Sequence, residues 1–484
     1  MTANVRRAVT DASPDAYRRV SFWLDDLVER GLDDLRPRDA LSANARFDVA
    51  LIGGGLTALW TAYELSRADP SLSIAVLERD IAGFGASGRN GGWCSALFPK
   101  SAGALERRHG YDAAVAMRRA MVDTVDEVGR VTVREGIDCD FERGGTLVFA
   151  RDGVQRRGAQ ADVAEANRFG VDRLEYRDEQ AMAATSGATA LDGHSPSAVF
   201  DPACARVHPA KLVRGLARVV EARGVHIFER TEVLDWSAGR VRFRSLDGGD
   251  ADGTIVAKHV IVATEGYGPR LPRVRRRILP LYSLMIATEP LADSVWDEIG
   301  IAHGQTFSDY RHLLIYGQRT ADNRFAFGGR GANYHWGSAV DPAFERVDQV
   351  FEHLHAALRD LFPAAGEARV THRWGGPLGV ARDWCATASY NPRTGVGFAG
   401  GYVGDGLSTT NLAGRTMTDL MLGVDTELTR LPWANHRSPL WEPEPLRYVG
   451  ANLGILGMAL ADTEERLTGR PSLIARATAR LTGH

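Results

Sequence analysis

The strongest constraint on the fold is the segment from Phe47 to Asp80, in which a buried-strand pattern runs into three consecutive glycines. The pattern predicts a strand, the turn Gly53-Gly54-Gly55, a helix, and a second strand that ends at Glu78. Such glycines permit a tight turn and a close approach of the backbone to a pyrophosphate, and the helix N-terminus faces the phosphates. An acid at the end of the second strand is placed to bind ribose hydroxyls. The segment therefore predicts a Rossmann-type dinucleotide-binding βαβ unit.

A second glycine-rich loop, residues 83–94, follows directly and bears on which nucleotide is bound. A nicotinamide-binding domain has no evident need for this loop. An isoalloxazine ring that lies against the backbone does need one, because glycines let the chain touch the ring and free N–H groups can meet its polar edge. An ordinary surface loop built from turns is the alternative interpretation.

A third glycine cluster spans residues 396–411 and precedes a helical pattern that continues through Leu422. A helix that starts near Leu407 would direct its positive end at whatever lies before it, and the N1 and C2 carbonyl region of a reduced flavin is a suitable target. The alternative is a plain strand-to-helix connection capped by Asp405 or Ser408.

Taken together, the three clusters resemble the D-amino-acid oxidase superfamily of FAD-dependent amine oxidoreductases, and most of all its gamma-glutamylputrescine oxidoreductase-like branch. The likeness covers about residues 20 to 425. It is carried by four motifs: Ser87 to Gly92; Ala263, Thr264 and Tyr267; Trp374-Gly375-Gly376-Pro377; and the turn from Gly401 to Gly406. The branch often has Asn where this chain has Glu265, so flavin or substrate contacts are expected to differ there.

The motifs and the resemblance together imply FAD as the cofactor, bound noncovalently, and a set of residues that bind it. By resemblance, Glu232 and Val233 line the adenine pocket through their backbone. The implied cofactor-binding residues are Gly53, Gly55, Leu56, Thr57, Glu78, Arg79, Gly85, Ala86, Ser87, Arg89, Asn90, Gly91, Gly92, Trp93, Val233, Thr264, Gly266, Gly376, Gly404, Asp405, Gly406, Leu407, Ser408 and Thr409.

The expected fold class is α/β plus α+β, with a Rossmann-type FAD-binding domain interleaved with a smaller mixed-sheet substrate domain. A chain of 484 residues exceeds the usual size of one domain, roughly 100 to 200 residues. A helical lead-in that docks on the first sheet through Phe22, Trp23 and Leu24, and a C-terminal tail that docks through Trp433 and Trp441, complete the expected organisation. The predicted segments are 1–46 for the lead-in; 47–100, 201–270 and 371–425 for the FAD-binding domain; 101–200 and 271–370 for the substrate domain; and 426–484 for the tail.

Composition narrows the possible partners. A formal net charge of −3 gives no electrostatic case for nucleic acid or an anionic membrane. The longest apolar run, Leu453 to Leu460, is too short for a membrane span, and the charged N-terminal residues do not resemble a secretory signal, so a soluble cytoplasmic enzyme is expected. The four cysteines predict neither a metal site nor a disulfide framework. Some relatives attach FAD through a cysteine in the region of Cys385, but the spacing here matches poorly.

The chemistry implied by the resemblance is oxidation of a C–N bond in a small-molecule amine or amino acid. A neutral amine gives hydride from its α-carbon to flavin N5, and water hydrolyses the resulting imine. The protein has to orient the C–H bond and exclude solvent. By resemblance, Tyr316 sits where related enzymes carry a substrate-facing tyrosine. Strand alternation places it on one face with Leu314 and Gln318. The candidate site residues are Tyr310, His312, Tyr316, Arg319 and Trp336, with core packing or solvated arginine and histidine as the alternatives.

Two questions stay open at this level. Sarcosine-oxidase relatives place a lysine near flavin N5 to assist O2, but the lysines here are Lys100, Lys211 and Lys258, so the electron acceptor is O2 by resemblance alone and another acceptor is the alternative. An NAD-dependent dehydrogenase that uses only the first βαβ unit, and a flavin-binding protein without turnover, are the other function classes. The sequence does not indicate an oligomeric state.

Overall fold

The computed structural model describes residues 13–247 and 252–482. The first twelve residues of the predicted lead-in lie outside these ranges. The α-helices are α1 (Pro14–Arg18), α2 (Phe22–Glu29), α3 (Leu56–Ala68), α4 (Ala102–His109), α5 (Tyr111–Arg134), α6 (Gly153–Phe169), α7 (Glu179–Thr185), α8 (Pro209–Ala222), α9 (Asp293–Ile299), α10 (Asp348–Leu361), α11 (Gly406–Leu422), α12 (Leu446–Thr468) and α13 (Leu473–Thr482). The strands are β1 (Ala45–Ile52), β2 (Ile74–Leu77), β3 (Trp93–Ser95), β4 (Thr146–Ala150), β5 (Glu175–Arg177), β6 (Ser197–Asp201), β7 (Cys204–Arg206), β8 (His226–Phe228), β9 (Thr231–Ser237), β10 (Arg240–Ser245), β11 (Asp252–Val262), β12 (Ile278–Thr288), β13 (Thr306–Asp309), β14 (Ile315–Arg319), β15 (Phe325–Arg330), β16 (Val370–Ala381), β17 (Thr387–Asn391) and β18 (Val396–Gly400).

The first sheet has the order β17-β18-β11-β1-β2-β8. Its strands from β18 to β8 are parallel, whereas β17 pairs antiparallel with β18, and β9 and β10 extend from β11 as an antiparallel flap. Apolar side chains fill both faces of β1, as expected of a parallel strand covered on both sides. The connection from β1 through α3 to β2 is the predicted βαβ unit, so the predicted Rossmann-type fold class is confirmed.

The second sheet has the order β16-β12-β15-β14-β13-β4-β6-β5, and all its pairs are antiparallel except β13 with β4. One face packs on α10 through a core that includes Phe307, Phe325 and Phe327. Its strands come from three separate parts of the chain, residues 146–201, 278–330 and 370–381, which gives the interleaved, mixed sheet that the sequence predicts. The other face lies over the carboxyl ends of the first sheet's strands, where the cavities described below are found.

The packing differs from the predicted domain boundaries in two places. The sequence predicts that α4 and α5, within residues 101–200, belong to the substrate domain, but Leu105, Met117 and Val125 pack in the same core as α3 and α11. Strand β16 was assigned with residues 371–425 to the FAD-binding domain, but it pairs along its whole length with β12. In both cases the apolar face of the element is buried against the other domain. The division into domains otherwise stays a prediction.

The predicted docking of the lead-in on the first sheet is wrong. Phe22, Trp23 and Leu24 pack instead with Met285 and Trp374 of the second sheet, in a core that also reaches the glycine-rich loop after β2. The ring centroids of Trp23 and Trp374 are 6.4 Å apart in an edge-to-face arrangement. The lead-in therefore holds the second sheet against that loop.

The C-terminal tail folds back on both sheets. Trp433 is fully buried in the core of the first sheet, and Trp441 donates a hydrogen bond from its indole nitrogen to the carbonyl of Val380 at 2.8 Å. Helices α12 and α13 then pack on each other. Within the described ranges, we find no helix that is both long and apolar enough to cross a membrane.

Candidate active site

Two connected cavities lie between the sheets. The first, of about 270 Å³, opens at the carboxyl ends of β1 and β2, and the second, of about 150 Å³, lies beneath the second sheet. Ligands of open parallel sheets bind at this edge. The residues that line both cavities are Ala86, Asn90, Leu378, Gly404 and Leu407. The three predicted glycine-rich segments therefore converge on one continuous space.

The first turn of α3 faces the first cavity. The turn needs glycine at 53, because this residue has a φ of +104° and a Cβ there would lie 2.7 Å from the carbonyl oxygen of Ala263. The N-cap residue Gly55 offers no side chain to cap the helix, so the first N–H groups are open to a ligand, although Leu56 N donates to Ser87 Oγ at 2.9 Å. These groups could hold a pyrophosphate.

Glu78 closes the same end of the cavity. Its carboxylate accepts hydrogen bonds from Gly54 N at 2.6 Å and from Asp80 N at 2.9 Å. Burial, and next the nearby Asp80 carboxyl group, raise the pKa of Glu78 to about 7. Arg79 forms an ion pair with Glu232 at 2.9 Å on the adjacent wall. This acid stands where a dinucleotide ribose is bound in Rossmann-type units.

The glycine-rich loop after β2 is held rigidly by aromatic and charged side chains. Trp23 and Trp374 donate indole hydrogen bonds to the carbonyls of Asn90 and Arg89, both at 2.8 Å. The buried guanidinium of Arg89 forms an ion pair with Glu345 at 2.5 Å. The loop packs so closely under the second sheet that a Cβ at Gly91 would lie 2.6 Å from the ring of Tyr316. Gly91 therefore has no room for a side chain, and its backbone lines the second cavity beside Tyr316.

The third glycine-rich turn is tied to the other two. Glu265, directly after β11, accepts hydrogen bonds from Gly401 N at 2.8 Å and Tyr402 N at 3.1 Å. The Tyr402 hydroxyl in turn lies 3.1 Å from Thr57 Oγ1 in the first turn of α3. Helix α11 begins at Gly406, and its N-cap Asp405 makes no side-chain capping bond. Its N-terminal N–H groups are therefore directed at the junction of the two cavities.

Several polar groups in the first cavity lack a partner within the chain. Thr264 Oγ1, the Tyr267 hydroxyl and Asp80 Oδ1 are buried and make no hydrogen bond among the described residues. Such atoms in a folded protein call for an explanation, and a polar ligand supplies one. Together with two uncapped helix N-termini and backbone exposed by glycines, they fit a long cofactor with a pyrophosphate and a polar ring edge.

Most of the predicted cofactor-binding residues line these cavities. Those on the first are Gly53, Gly55, Leu56, Thr57, Glu78, Arg79, Gly85, Ala86, Ser87, Asn90, Val233, Thr264, Gly266, Gly404, Gly406 and Leu407. Those on the second alone are Arg89, Gly91, Trp93, Gly376 and Asp405. Three line neither: Gly92 packs against Gln318, Ser408 donates to the carbonyl of Ser95, and Thr409 donates to the carbonyl of Asp405. Binding of the cofactor by these residues stays a prediction.

The second cavity carries a tyrosine, an arginine and an aspartate. The hydroxyl of Tyr316 lies 2.7 Å from Ser283 Oγ, and burial raises the pKa of this phenol. Arg330 donates to the carbonyl of Val403 at 2.7 Å. Asp405 lines the same cavity, where burial outweighs attraction to Arg330 and raises the pKa of its carboxyl group to about 6. The remaining wall is formed mainly by apolar side chains and glycines.

The structure places the other predicted site residues outside both cavities. His312 lies before β14 and pairs with Glu465 of α12 at 3.1 Å. Arg319 stacks on Trp296 and donates to the carbonyl of Ile301. Trp336 is 58% exposed in a short turn. Tyr310 donates to Asp162 at 2.9 Å. Tyr316 alone of the five lies at one of the two cavities, and the catalytic roles of all five stay a prediction.

Sequence reasoning missed Asp80, Arg270, Ser283, Arg330 and Tyr402 as lining residues. A local signal for Asp80 exists, since it lies two residues after Glu78, the acid that is predicted to bind ribose. Arg330 ends the strand next to that of Tyr316, and its register opposite Ser283 becomes evident only once the strands are paired.

The cysteines and lysines take no part in either cavity. All four cysteines are buried, and burial raises the pKa of Cys385 to about 12, which keeps its thiol protonated. Lys100 donates to the carbonyl of Asp383, and Lys211 pairs with Asp140 at 2.9 Å. No lysine of the described ranges lines either cavity.

This fold and site define a flavin-dependent oxidoreductase with a two-sheet architecture. The chain belongs to the D-amino-acid oxidase (DAO) family, described as FAD dependent oxidoreductase, whose family model matches residues 48–420. The resemblance stated from the motifs is thereby confirmed, and FAD is the cofactor.

Individual relatives agree with this assignment. The chain is 30% identical over 397 residues to gamma-glutamylputrescine oxidoreductase of Escherichia coli. This alignment covers 80% of this chain and 86% of that protein. It is 28% identical over 394 residues to the probable oxidoreductase OrdL of Haemophilus influenzae, covering 79% and 84%. Among solved structures, glycine oxidase from Geobacillus kaustophilus matches with a TM-score of 0.66 at 19% identity, covering 82% of this chain and 100% of that one. This last likeness concerns the fold.

Proposed function

We propose that this protein oxidises a C–N bond of a small amine or amino acid in the second cavity, with FAD bound along the first. The observation that supports this proposal most directly is that the two cavities share lining residues and that all three glycine-rich segments border them. The names of the relatives, a gamma-glutamylputrescine oxidoreductase and a glycine oxidase, support an amine or amino-acid substrate. FAD, when bound, would supply the acceptor for a hydride from the carbon next to the amine nitrogen, and the imine released to water would hydrolyse.

Asp405 is the residue that we assign to receive the proton of the substrate. An alkylamine is mostly protonated at neutral pH, since its pKa is close to the value of about 10.4 for lysine. An ammonium has no lone pair to assist loss of hydride, so one proton has to leave first. Asp405 is the carboxylate among the residues that line the second cavity, and neither histidine nor lysine accompanies it. The proton passes from the ammonium nitrogen to its carboxylate oxygen.

Arg330 adds a positive charge beside Asp405 in the second cavity. Its guanidinium is anchored on the Val403 carbonyl and faces the cavity beside Gly404, and among the described residues no carboxylate pairs with it within 4 Å. Because a guanidinium stays charged and offers several donors, it suits a carboxylate. A cation and an anion on one small cavity support a substrate that carries both an amine and a carboxylate.

Two aromatic side chains of the second cavity would orient the substrate and exclude water. Tyr316 and Trp93, with ring centroids 6.2 Å apart, pack edge to face and restrict the cavity on the side of the second sheet. Their bulk would orient the substrate carbon and keep water out. We propose that FAD is held noncovalently and that O2 is the electron acceptor, with another acceptor as the alternative because no described lysine lines the site.

The test is a spectrum followed by anaerobic substrate addition. Purified protein should show bound flavin, and amino acids or amine-carboxylate conjugates should bleach it faster than amines that lack a carboxylate. A flavin that no amine in the panel bleaches would contradict the proposal and favour a flavin-binding protein without turnover. Peroxide formed per turnover in air then separates an oxidase from a dehydrogenase, because a yield near background would exclude O2 as the acceptor.

A further inference from the structure

Side chains from outside the glycine-rich loop after β2 hold three successive carbonyl groups of that loop. The donor and acceptor residues, with each hydrogen bond 2.8 Å long, are Ser21 with Gly88, Trp374 with Arg89, and Trp23 with Asn90. A trans peptide unit is planar, so its N–H points in the direction opposite to its C=O. A side chain that fixes one of these carbonyls therefore also fixes the direction of the N–H of the next residue.

The peptide unit between Asn90 and Gly91 differs from its neighbours in what its N–H meets. The N–H groups of Arg89 and Asn90 donate to the carbonyl of Ala86 at 3.2 and 3.0 Å, and that of Gly92 donates to Asn90 Oδ1 at 2.8 Å. Within the parts of the chain that the structure describes, no group accepts the N–H of Gly91. Gly91 is buried, and a buried N–H without a partner is rare in a folded protein. Its acceptor is therefore expected on a ligand.

The geometry of the loop directs this N–H towards the cavities. Asn90 lines both cavities and Gly91 lines the second, so the peptide unit that joins them lies where the two cavities meet. Trp23 binds the carbonyl of this unit, and the N–H points away from Trp23. The amide of Gln318 fixes the following peptide unit, because it donates to the carbonyl of Gly91 at 2.6 Å. Both peptide units of Gly91 are thus held in place by the protein itself.

The helix that carries Trp23, α2, is firmly anchored. The Trp23 side chain is 1% exposed and packs edge to face on His208, with ring centroids 4.9 Å apart. The next two residues of the helix bind histidines, since Asp25 Oδ2 lies 3.0 Å from His372 Nε2 and Asp26 Oδ2 lies 3.2 Å from His208 Nε2. The indole donor is therefore positioned by contacts that do not involve the loop it holds.

We infer that Trp23 is a positioning residue of the flavin site: it holds the Asn90 carbonyl so that the Gly91 N–H donates to an acceptor atom on the ring of FAD. The inference rests on the proposed function, which places FAD along the first cavity with its ring near the junction. A flavin ring gains electron density when it is reduced, so a donor held beside an acceptor atom of the ring favours reduction. Trp23 thereby raises the midpoint potential of the bound flavin through the loop.

The midpoint potential of the FAD-loaded protein tests the role of Trp23. Trp23→Phe keeps an aromatic ring but removes the indole donor, so the potential should shift to a more negative value. Trp374→Phe is the matched control: it removes an equally long indole bond to the preceding carbonyl, in the same core, but the N–H of that peptide unit belongs to Asn90 and is already bonded to Ala86. Trp433→Phe is a second control, because its buried indole N–H has no partner within the described ranges. Both controls should keep the potential of the wild type. An equal shift in Trp23→Phe and Trp374→Phe, or an unchanged potential in Trp23→Phe, would overturn the inference.

Hydrogen exchange at single-residue resolution tests the Gly91 N–H directly and needs no variant to fold. In the FAD-loaded wild type, this N–H should be protected as strongly as that of Gly92, which Asn90 Oδ1 accepts. In FAD-loaded Trp23→Phe, the N–H of Gly91 should exchange faster while that of Gly92 should not change. Rapid exchange of the Gly91 N–H in the wild type, or protection that appears only after an amino acid is added, would overturn the inference. Bound FAD that no amine reduces would contradict the proposed function alone, because both measurements require only the flavin.

Discussion

The carboxylate of Glu265 lies 2.8 Å from the backbone nitrogen of Gly401 and thereby joins the end of β11 to the turn before α11. A second bond, from Tyr402 N at 3.1 Å, fixes the direction of that turn. Glu265 itself has a φ of +40°, which an L-residue seldom adopts. The resemblance placed an Asn at this position in many relatives. In this chain, one acid orients the segment that carries Gly404 and Asp405 at the junction of the two cavities.

Replacing Glu265 should change how stability depends on pH. Burial raises the pKa of Glu265 to about 7 from an ordinary value of 4.5, so the folded state holds a proton that the unfolded state releases. The free energy of unfolding contributed by this group is therefore lost as pH rises from about 4.5 through about 7. Glu265→Gln, whose amide can accept from only one of the two N–H groups, should have a lower free energy of unfolding at low pH but should lose less of it than the wild type as pH rises over that range in urea titrations. Parallel pH profiles would contradict the assignment. Glu265→Ala, which leaves both N–H groups unpaired, should lose about 1–3 kcal/mol.

Glu78→Gln should weaken FAD binding without unfolding the βαβ unit. The amide keeps the size of the side chain but removes the charged acceptor that faces the first cavity beside Gly54. Loss of a charge-assisted hydrogen bond corresponds to roughly tenfold weaker binding or more. The dissociation constant for FAD can be measured by titrating the apoprotein with FAD and monitoring the quenching of flavin fluorescence. Glu64→Gln, on α3 and outside both cavities, should bind FAD as the wild type does. Equal FAD affinities for the wild type, Glu78→Gln and Glu64→Gln would show that the Glu78 carboxylate does not bind the cofactor.

Tyr316→Phe should lower kcat/KM for the substrate while leaving FAD affinity unchanged. The phenyl ring still packs against Gly91 and Trp93, so only the hydroxyl bonded to Ser283 is lost. We expect a fall of about tenfold, equivalent to roughly 1.4 kcal/mol of lost interaction. Tyr310→Phe is the matched control, since its hydroxyl meets Asp162 away from the cavities. Equal kinetics for the two variants would mean that the Tyr316 hydroxyl does not meet the substrate.

Asp405→Asn should flatten the pH profile. In the wild type, kcat/KM should fall as pH drops through about 6, because the protonated carboxyl group cannot accept the substrate proton. The charged groups that face it are Arg330 on β15 and Arg118 on α5, and both favour the carboxylate. The variant should be slower by about 10²-fold at neutral pH and should recover towards pH 10, where the free amine forms without help. Asp348→Asn, with a side chain that is 86% exposed, is the control. An unaltered profile would exclude Asp405 as the acceptor.

The βαβ unit, the parity of β14 and the glycine-rich segments can be predicted from the sequence because nearby residues determine them. The segment from Phe47 to Asp80 combines strand, turn, helix and acid within one short stretch. In a dinucleotide-binding unit the glycines make the tight turn and the acid binds ribose, so the residue types alone predict the local structure. Likewise, the parity of β14 was enough to place Tyr316 and Gln318 on the same face. Glycine spacing located the other two segments, and their convergence follows from the parallel sheet.

Predictions failed where distant parts of the chain decide the outcome. Arg319 has the chemistry of a carboxylate ligand, but α9 provides Trp296 and Asp293, which hold its side chain away from the cavity. Arg330 and Asp405, separated by 74 intervening residues, meet at one cavity through the pairing of β15 and the position of the turn before α11. Helix α5 was misplaced because its amphipathic pattern shows that one face is buried but not against which sheet.

The attachment of FAD provides the last test. Cys385 lies outside both cavities, its thiol donates to the carbonyl of Ala386 at 3.5 Å, and burial raises its pKa to about 12. A thiol that stays protonated is a poor nucleophile towards the flavin ring. Acid precipitation should therefore leave the yellow colour in the supernatant, and Cys385→Ser should show the same flavin content per chain as the wild type. Colour that stays in the pellet for the wild type but not for Cys385→Ser would demonstrate a covalent link through this residue.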